Sequence, residues 1–402
     1  MTQANLFRAA VAAALALGAG CSARAAAPGP DGPDRAAPAP ADPYAGLRPY
    51  AGDIHVHTGL AIYQVLHPED PHSIGTPDEV IDAAESRGLD FVVLTDHSNN
   101  MNDPRGVAWR EETGNLFTLP DGRKTASEWE NLQSAVGRRN KPGRFLVFLG
   151  IEYTRGTTKT ASPGHKLGIF PGSTLPRYCS NFPHNIGDCL TGQDFLVFVR
   201  EQEGVAVTAH PCADWGPSDW SEHGDVVTGV ELVAGQCEFA ANGYNDALKR
   251  LGYRVGARGS SDSHHFEVGT NDKTICWAPE LTREAILSAM RANLCYYADE
   301  FPVTLKLDVN GAPMGSSVVD QGTGLSIRAT AHSDFQTEMD HIELIHDGEV
   351  LLRRDCEDAE YDDCALETYI LSDTAGYYYV GLSGQSGRRL AISSPVWVRA
   401  AE

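Results

Sequence analysis

The sequence lacks an excess of positive charge, and this narrows the classes of function to consider. Its 54 Asp and Glu residues outnumber its 32 Lys and Arg residues, and the formal net charge is −22. Nucleic acids and anionic membranes bind surfaces rich in Lys and Arg, so neither is an expected general partner. A small anionic substrate is not excluded, because bound metal ions are often the largest local positive charges in a site.

The sequence also lacks an apolar run long enough for a mature transmembrane helix near its N-terminus. Arg8 precedes the apolar run of residues 9–20, which has the length expected of an export signal. Residues 17–21 resemble a bacterial lipoprotein signal that would lipidate Cys21, whereas residues 23–25 form an A-x-A cleavage site that would remove it. We favour the lipoprotein signal. With either signal, residues 1–25 are a signal peptide, and the protein is expected to be exported, as a periplasmic protein or an envelope-anchored lipoprotein.

No C-x-x-C spacing is present, so a cysteine-ligated metal site ranks below disulfide bonds. The sequence has nine cysteines, and eight remain once Cys21 is lipidated or removed. An even number of cysteines in an exported protein is typical of disulfides. Their spacing favours Cys179 with Cys189 and Cys356 with Cys364, and leaves the other pairings open.

Residues 26–48 are rich in Ala, Pro, Asp and Gly, which predicts a flexible tether. Short apolar strands then alternate with helices over residues 49–299, which we predict to be the larger of two domains. The strands are predicted at residues 52–58, 89–95, 144–151, 165–170, 205–209, 229–233 and 253–257, and the helices at 76–87, 127–139, 194–203, 242–251 and 282–293. Such alternation favours a parallel sheet and, at this length, a closed α/β barrel, whose active site lies at the C-terminal ends of the strands.

The pattern changes near residue 299. Short segments that alternate apolar and polar residues follow, at 303–309, 325–331, 342–345, 377–382 and 395–398. They predict a small C-terminal β-sandwich over residues 300–402. This region carries no motif that indicates a function of its own.

Histidines and carboxylates recur at the predicted strand ends. His55 and His57 are two residues apart in one strand, so both imidazoles point to the same face. Mixed His and carboxylate ligands suit Zn, Mn or Fe, and eight ligands exceed one tetrahedral site, so two or more metal ions are expected. The eight candidate ligands are His55, His57, His97, Glu152, His165, His210, Asp262 and His264.

These motifs carry a resemblance to a known superfamily. In chain order, D-I-H-V-H-T, L-T-D-H, G-I-E-Y-T, G-H-K-L, A-H-P and S-D-S-H-H are similar to the polymerase and histidinol phosphatase (PHP) superfamily of metallohydrolases. Residues 253–265 and 281–293 resemble its exported branch, which has a C-terminal β domain and lies near the carbaryl-hydrolase-like metallohydrolases.

The resemblance implies a distorted barrel of about seven strands that holds two or three metal ions. It implies that His55, His57 and Asp262 bind the first metal, that Glu152 bridges it to a second, and that His165 binds the second. His97, His210 and His264 would fill the remaining positions. Tyr63 stands where the family usually has a His or Asp; His67, Asp70 or His72 could substitute, so the existence of the third metal site stays open.

The expected activity is metal-assisted hydrolysis, with a phosphoester as the first candidate substrate. Paired metals lower the pKa of a bridging water and so supply hydroxide at neutral pH, and they stabilise negative charge on the substrate. Asp96 could orient His97 or only cap the following turn, and His265 could protonate a leaving group or be a solvated neighbour. Arg155, Lys166 and Arg258 could hold an anionic substrate, although a surface location fits each of them equally well.

Two alternatives remain open. The same metal centre could hydrolyse a carbamate, ester or amide, because a fold and a metal centre do not fix the substrate. The chain could instead be a non-enzymatic, envelope-tethered binding module with structural metals. The expected partner is a small molecule, which is anionic if the substrate is a phosphoester, and not a nucleic acid. A lipid anchor at Cys21 is also expected. The sequence leaves the oligomeric state undetermined.

Overall fold

The computed structural model describes most of the chain after residue 41, and all described residues belong to one compact unit, Ala41–Glu402. The described residues are 42–59, 75–98, 101, 104–114, 116–154, 164–176, 179, 189, 191–211, 225–234, 237–238, 244–245, 248–249, 254–264, 267–270, 272–299, 303–333, 339–356, 363–371 and 374–401. Several features predicted from the sequence lie outside them: the signal peptide with Cys21, most of the tether, Tyr63, His67, Asp70, His72, Arg155, His265 and most of the helix at 242–251.

Strands predominate among the described elements. The first twelve are β1 (Arg48–Val56), β2 (Phe91–Leu94), β3 (Phe117–Thr118), β4 (Lys124–Thr125), β5 (Leu146–Tyr153), β6 (Lys166–Phe170), β7 (Val205–Thr208), β8 (Val227–Ala234), β9 (Cys237–Glu238), β10 (Gly256–Ser260), β11 (Lys273–Ala278) and β12 (Cys295–Ala298). The remaining ten are β13 (Thr304–Val309), β14 (Ala312–Pro313), β15 (Ser317–Asp320), β16 (Leu325–His332), β17 (Met339–His346), β18 (Glu349–Asp355), β19 (Asp363–Ile370), β20 (Gly376–Gly384), β21 (Arg389–Ser393) and β22 (Val396–Ala400). The α-helices with described bounds are α1 (Pro77–Ser86), α2 (Pro104–Thr113), α3 (Glu128–Arg139), α4 (Gly192–Glu201) and α5 (Arg283–Arg291).

Sixteen strands form one mixed sheet, and the hydrogen-bonded order of the described strands is an open path. That order is β10-β8-β7-β6-β5-β2-β1-β11-β12-β21-β20-β17-β18, with β9 on β8, β22 on β20 and β15 on β22. Strands β1, β2 and β5 are parallel, but β6 is antiparallel to both of its neighbours and β11 is antiparallel to β1. The predicted α/β fold, a distorted seven-stranded (β/α) barrel of PHP type, is therefore wrong.

The barrel prediction failed for two reasons: no strand was predicted at β11 or β12, and the order of elements along a chain does not determine which strand pairs with each edge of β1. One edge of β1 pairs with β2 and the other edge pairs with β11. A closed barrel would need β10 on the edge that β11 occupies. Strand β11 then pairs with β12, and β12 pairs with β21, which extends the sheet into the C-terminal strands. The chain after β10 still reaches the end of β1, where Ser263 forms an isolated parallel bridge with Val56.

Both faces of the central strands are covered, which explains why these strands are continuously apolar. Val92 and Leu94 of β2 share an apolar cluster with buried residues of α1, α3 and α4. Phe91 and Val93, on the opposite face, share a cluster with Ile286 of α5. A capping box begins α1, where the helix was predicted: the Thr76 hydroxyl accepts from the Glu79 N–H, and the Glu79 carboxylate accepts from the Thr76 N–H.

The C-terminal strands form two packed layers. A four-stranded antiparallel sheet, β14-β13-β16-β19, lies on the part of the large sheet made by β17, β20 and β21. Leu305, Leu307 and Ile327 of the small sheet share one apolar cluster with Leu344 and Val380 of the large one. The domain boundary near residue 299 stays a prediction, and the pairing of β12 with β21 carries the large sheet across that point.

Three disulfide bonds join described cysteines. The predicted pairs Cys179–Cys189 and Cys356–Cys364 are confirmed. A third, Cys276–Cys295, joins β11 to β12 and was not determined by the sequence. None of the described helices is both long and apolar enough to cross a membrane.

Candidate metal centre

The structure brings all eight candidate ligands together at one end of the large sheet. Strands β1, β2, β5, β7, β8 and β10 point the same way, and their C-terminal ends lie side by side. His97, just past β2, forms a bridge with Glu152 near the end of β5, and the Ser98 backbone N–H donates to the Glu152 carbonyl. At the end of β1, the His57 N–H donates to the Ser263 carbonyl, which places the segment with Asp262 and His264 beside the two histidines of β1.

His165 reaches the same end from the opposite strand direction. It precedes β6, which runs antiparallel to β5 and β7, so the start of β6 lies beside the ends of its neighbours. The Ala209 N–H donates to the His165 carbonyl at 3.1 Å, which holds His165 next to His210. Strand direction thus explains why this histidine comes before its strand while the others come at or after theirs.

Glu152 is the central residue of the cluster. Its Oε1 lies 2.6 Å from His165 Nδ1 and 3.1 Å from His210 Nε2. Its Oε2 lies 3.5 Å from His55 Nε2 and 3.4 Å from His57 Nε2, and it also contacts His97 Nδ1. The two oxygens of one carboxylate therefore face two different sets of imidazoles.

Asp262 supplies the second carboxylate. Its Oδ1 lies 3.3 Å from His55 Nε2 and 3.2 Å from His57 Nε2. Four groups of three residues can be drawn in which the ligand atoms all lie within 4.8 Å of one another. They are His55, His57 and Asp262; His55, Glu152 and His210; His97, Glu152 and His165; and His57, His97 and His264.

Two of the ligands sit in a backbone conformation that L-amino acids adopt rarely. His210 has a φ of 22° and Asp262 a φ of 49°. Residues in this region cost conformational energy and persist only where the surrounding structure holds them. The backbone at these two ligands is therefore held by its surroundings.

The cluster is buried on one side and open on the other. The side chains of His55, His57 and Glu152 are 0–3% exposed, whereas those of His97 and Asp262 are 22% and 24% exposed and that of His264 is 40% exposed. The more exposed ligands therefore all lie on one side of the cluster.

The charges of the cluster are coupled. Burial opposes ionisation of Glu152, but His97 and His55 outweigh it and hold the pKa of Glu152 well below its usual range. Burial likewise opposes ionisation of Asp262, but His55 and His57 lower its pKa. Burial, together with His97, lowers the pKa of His57 to about 3. The two carboxylates are thus ionised and His57 is neutral, as metal binding requires. Against burial, the neighbouring carboxylates raise the pKa of His55, His97 and His210, so a metal ion would displace protons from these three rings.

Asp96 is buried in the same region and accepts hydrogen bonds from Thr58, whereas its role in orienting His97 stays a prediction. Its carboxylate accepts from the Thr58 N–H at 2.7 Å and from the Thr58 hydroxyl at 2.8 Å. Burial raises the pKa of Asp96 to about 6 against these hydrogen bonds. Asp96 therefore anchors the residue after His57, while the His97 ring lies 2.8 Å from the Thr154 hydroxyl.

The two described candidates for anion binding are both buried. Lys166 is 1% exposed, and its ammonium donates to the Gly164 carbonyl at 2.8 Å. Arg258 is fully buried, and its guanidinium donates to the carbonyls of Ala257, Thr228 and Met290. These contacts fix Arg258 as a link between strands and α5, and a substrate-binding role for either residue stays a prediction.

Sequence reasoning missed two buried carboxylates that hold the ligands in place. Asp53 accepts from the N–H groups of Ser261 at 3.1 Å and Gly269 at 3.0 Å, which ties the segment carrying Asp262 to β1. Glu231 of β8 contacts the His55 ring. The available signal was the same for both: a lone acid inside an apolar strand must have partners if it is buried.

Comparison with known proteins gives little beyond this geometry. No protein-family model matches the chain. An uncharacterised protein from Chlamydia pneumoniae is 30% identical over 311 residues, which cover 67% of this chain and 49% of that protein. The chain therefore spans about half the length of the curated relative that it matches.

Solved structures are similar to this chain only at low scores. PsfC from Pseudomonas syringae is 17% identical and has a TM-score of 0.34, with 60% of this chain and 89% of that chain covered. The soluble domain of PmoD from Methylocystis is 11% identical and has a TM-score of 0.19, with 25% and 92% covered. TM-scores this low establish no common fold.

The predicted resemblance to the PHP superfamily, including its exported branch near the carbaryl-hydrolase-like metallohydrolases, is wrong. No family model of that kind matches, and the open mixed sheet does not fit its barrel. Each motif that suggested it is short, and a match to a short motif carries a high risk of being accidental. The site must therefore be interpreted from its own geometry.

Proposed function

We propose that this protein binds two or more divalent metal ions, such as Zn, Mn or Fe, at the eight-residue cluster and catalyses a metal-dependent hydrolysis. A phosphoester is the substrate class that we favour. Bound divalent metals supply two effects, a lowered pKa of a coordinated water and stabilisation of negative charge on substrate oxygens.

The observation that carries the proposal is a set of buried polar atoms that converge without hydrogen bonds between them. His55 Nε2, His57 Nε2 and Glu152 Oε2 are all buried, and their mutual contacts lack the geometry of a hydrogen bond. Each of the two nitrogens lies 3.4–3.5 Å from Glu152 Oε2 and 3.2–3.3 Å from Asp262 Oδ1. Buried polar groups are normally satisfied, so this convergence supports a cation between them. Imidazole and carboxylate donors suit Zn, Mn or Fe.

The residues of the cluster would have three roles: binding the metals, bordering the substrate and holding the ligands in position. Glu152 would bind metals on both sides, since each of its oxygens faces different imidazoles. His97, Asp262 and His264, on the more exposed side, would border the substrate. Asp96 would hold the end of β1 through Thr58 and so keep His57 in position.

The ligand types are compatible with an anionic substrate. Only two of the eight ligands, Glu152 and Asp262, are carboxylates, although Glu231 and Asp96 lie directly behind the ligands. A phosphoester could coordinate the bound metals through its oxygens, and metals stabilise the further charge that develops during its hydrolysis. A carbamate, ester or amide on the same centre remains the alternative substrate class.

The test combines metal analysis with a substrate screen. Purified wild-type protein, loaded with Zn, Mn or Fe, should contain about two metal ions per chain, by the ligand count, and should hydrolyse aryl phosphates. His57→Ala and Asp262→Ala should each lose metal and activity together. His332→Ala, a substitution in the C-terminal β16, is the matched control and should lose neither.

The possible results separate the alternatives. Hydrolysis of aryl carbamates but not aryl phosphates would reject the phosphoesterase assignment and keep the metal centre. Metal binding without hydrolysis of any substrate, with loss of thermal stability on chelation, would favour a non-enzymatic binding module. Equal metal content in wild type, His57→Ala and Asp262→Ala would reject the metal centre itself.

We further infer that the protein acts outside the cytoplasm, as a periplasmic protein or a lipoprotein anchored through Cys21. Three disulfides among the described residues support an oxidising compartment. Fractionation of cells that express the full chain tests this: Cys21→Ala should move the protein from the membrane fraction to the soluble periplasm. Recovery of both forms from the cytoplasm with reduced cysteines would contradict it.

A further inference from the structure

Glu231 lies in the middle of β8 between apolar neighbours and is 1% exposed. A buried carboxylate is costly unless hydrogen bonds satisfy it. Three donors surround this one: the Ser260 hydroxyl at 2.6 Å, the His210 N–H at 2.8 Å and the His55 ring, whose Nδ1 lies 3.2 Å from Oε1 and 3.3 Å from Oε2. Two of the three belong to candidate metal ligands.

The contact with His55 fixes which ring nitrogen can bind a metal. A carboxylate only accepts hydrogen bonds, so His55 Nδ1 must carry the proton and donate it. The other nitrogen, Nε2, then points at Asp262 Oδ1 and Glu152 Oε2, 3.3 Å and 3.5 Å away. A ligand imidazole whose second nitrogen donates to a carboxylate is oriented and made more basic by it.

The contact with His210 fixes a strained backbone. His210 has a positive φ of 22°, and its N–H donates to Glu231 Oε2. Its ring Nε2 lies 3.1 Å from Glu152 Oε1, so holding the backbone also holds the ring against the central carboxylate. One side chain thus supports His55, which faces one Glu152 oxygen, and His210, which faces the other.

We propose that Glu231 is a positioning residue of the metal centre: it sets the tautomer of His55 and the backbone of His210 so that both rings meet Glu152 ready to bind metal. This role rests on the proposed metal centre. It requires no contact between Glu231 and a metal or substrate.

Glu231→Gln is the first test, because it keeps the shape and removes the charge. The amide nitrogen of Gln only donates: toward Ser260 it meets a hydroxyl that can turn to accept, but at the same position it faces His55 Nδ1, 3.2 Å from Oε1. That contact favours the His55 tautomer with its proton on Nε2, which blocks metal binding. We expect the affinity for Zn, measured by competition with a chelator, to fall about 10- to 100-fold. Glu231→Asp keeps the charge and should bind Zn more tightly than Glu231→Gln.

Ser260→Ala is the matched control. It removes the third donor to Glu231 but leaves the contacts with His55 and His210 in place. Its Zn affinity should stay within about threefold of wild type, below the range expected for lost support of a ligand. Unchanged Zn affinity in a folded Glu231→Gln variant, or an equal loss in Ser260→Ala, would overturn the role of Glu231.

A measurement on the wild type decides the question even if Glu231→Gln does not fold. In the Zn-loaded protein, ¹⁵N NMR of the imidazoles should show His55 protonated at Nδ1 and coordinated through Nε2. Coordination through Nδ1, or a proton on Nε2, would overturn the role while the metal centre stands. Failure of the wild type to bind Zn, Mn or Fe would overturn the proposed function and this role with it.

Discussion

Glu152 illustrates how a single residue gains meaning from its neighbours in space. In the sequence it is an acid at the end of an apolar run, and its candidacy as a ligand depended on histidines up to about a hundred residues away. In the structure its two oxygens face separate imidazoles, His165 and His210 on one side and His55 and His57 on the other. The pattern of residues predicted membership of the cluster, but not this division between two sides.

Glu231 and Asp53, unlike Glu152, were not recognised as part of the site from the sequence. Each is a lone acid in an apolar strand, and each proved to be buried with several donors around it. The donors are backbone N–H groups and side chains from distant segments, and no spacing in the sequence indicates them. Their supporting roles could be recognised only once the strands were paired.

Asp272 is a buried carboxylate outside the metal-ligand cluster, and its ionisation should make the stability of the fold depend on pH. It is buried, accepts from the Tyr297 hydroxyl at 2.8 Å and lies near Asp299. Burial, with Asp299, raises its pKa to about 6. Between pH 4 and 6 the folded chain therefore holds this proton more tightly than the unfolded chain, so the contribution of Asp272 to stability falls as pH rises through that range and stays low above it.

Asp272→Asn removes this pH-dependent cost. The free energy of unfolding at pH 7 should rise by up to about 3 kcal/mol relative to wild type, with little difference at pH 4. Urea unfolding at both pH values measures it. Asp225→Asn, at an exposed ion pair with Arg200, should change stability by under about 1 kcal/mol at either pH. A difference between Asp272→Asn and wild type that is equal at pH 4 and pH 7 would contradict the assignment.

At the scale of elements, local chemistry predicted helix starts well. Capping side chains at Thr76, Ser127 and Thr282 begin α1, α3 and α5, at or next to the residues where the sequence indicated. Such caps act within a few residues, so the sequence contains the whole cause. The predicted strands also lay close to observed ones, but no strand was predicted at β11 or β12. The pairing directions were not predicted either, because the partner of a strand edge is a distant segment.

Gly150 of β5 tests how closely the strands must pack to place Glu152. A Cβ at this position would lie 2.7 Å from both Val93 Cγ1 and Thr95 Cγ2 and 3.0 Å from the Leu94 carbonyl oxygen. Gly150→Ala would push β5 away from β2 and displace Glu152, two residues further on. We expect the free energy of unfolding to fall by about 1–3 kcal/mol and metal affinity to fall as well.

Gly137→Ala is the control for Gly150→Ala. Gly137 lies in α3, and a Cβ there would meet only Ser173, at 3.7 Å or more. Alanine favours a helix over glycine, so this variant should be more stable by about 0.5–1 kcal/mol and should bind metal normally. Chemical denaturation and metal titration of the two variants decide the matter; normal metal affinity in Gly150→Ala would show that Glu152 does not depend on this packing.

At the scale of the whole molecule, the ligands come from six strands and the segments next to them, so metal binding should stabilise the fold as a unit. A ligand that binds only the folded chain adds about 2.7 kcal/mol at a concentration one hundred times its dissociation constant. Thermal unfolding of wild type should therefore shift upward with Zn and back with a chelator. His57→Ala should lose this dependence, and an identical Zn shift in both proteins would show that the ion binds elsewhere.

The sequence by itself determined the features whose causes lie close along the chain: the helix caps, the apolar strands, two disulfides between near cysteines and the types of residue that form the cluster. Tertiary structure alone decided what depends on distant segments. Strand β11 took the edge of β1 that a barrel needs for β10, so the sheet stayed open and continued through β12 into the C-terminal strands. The same pairings placed Glu231 behind His55, because the cost of burying a carboxylate is met only by donors that folding brings to it.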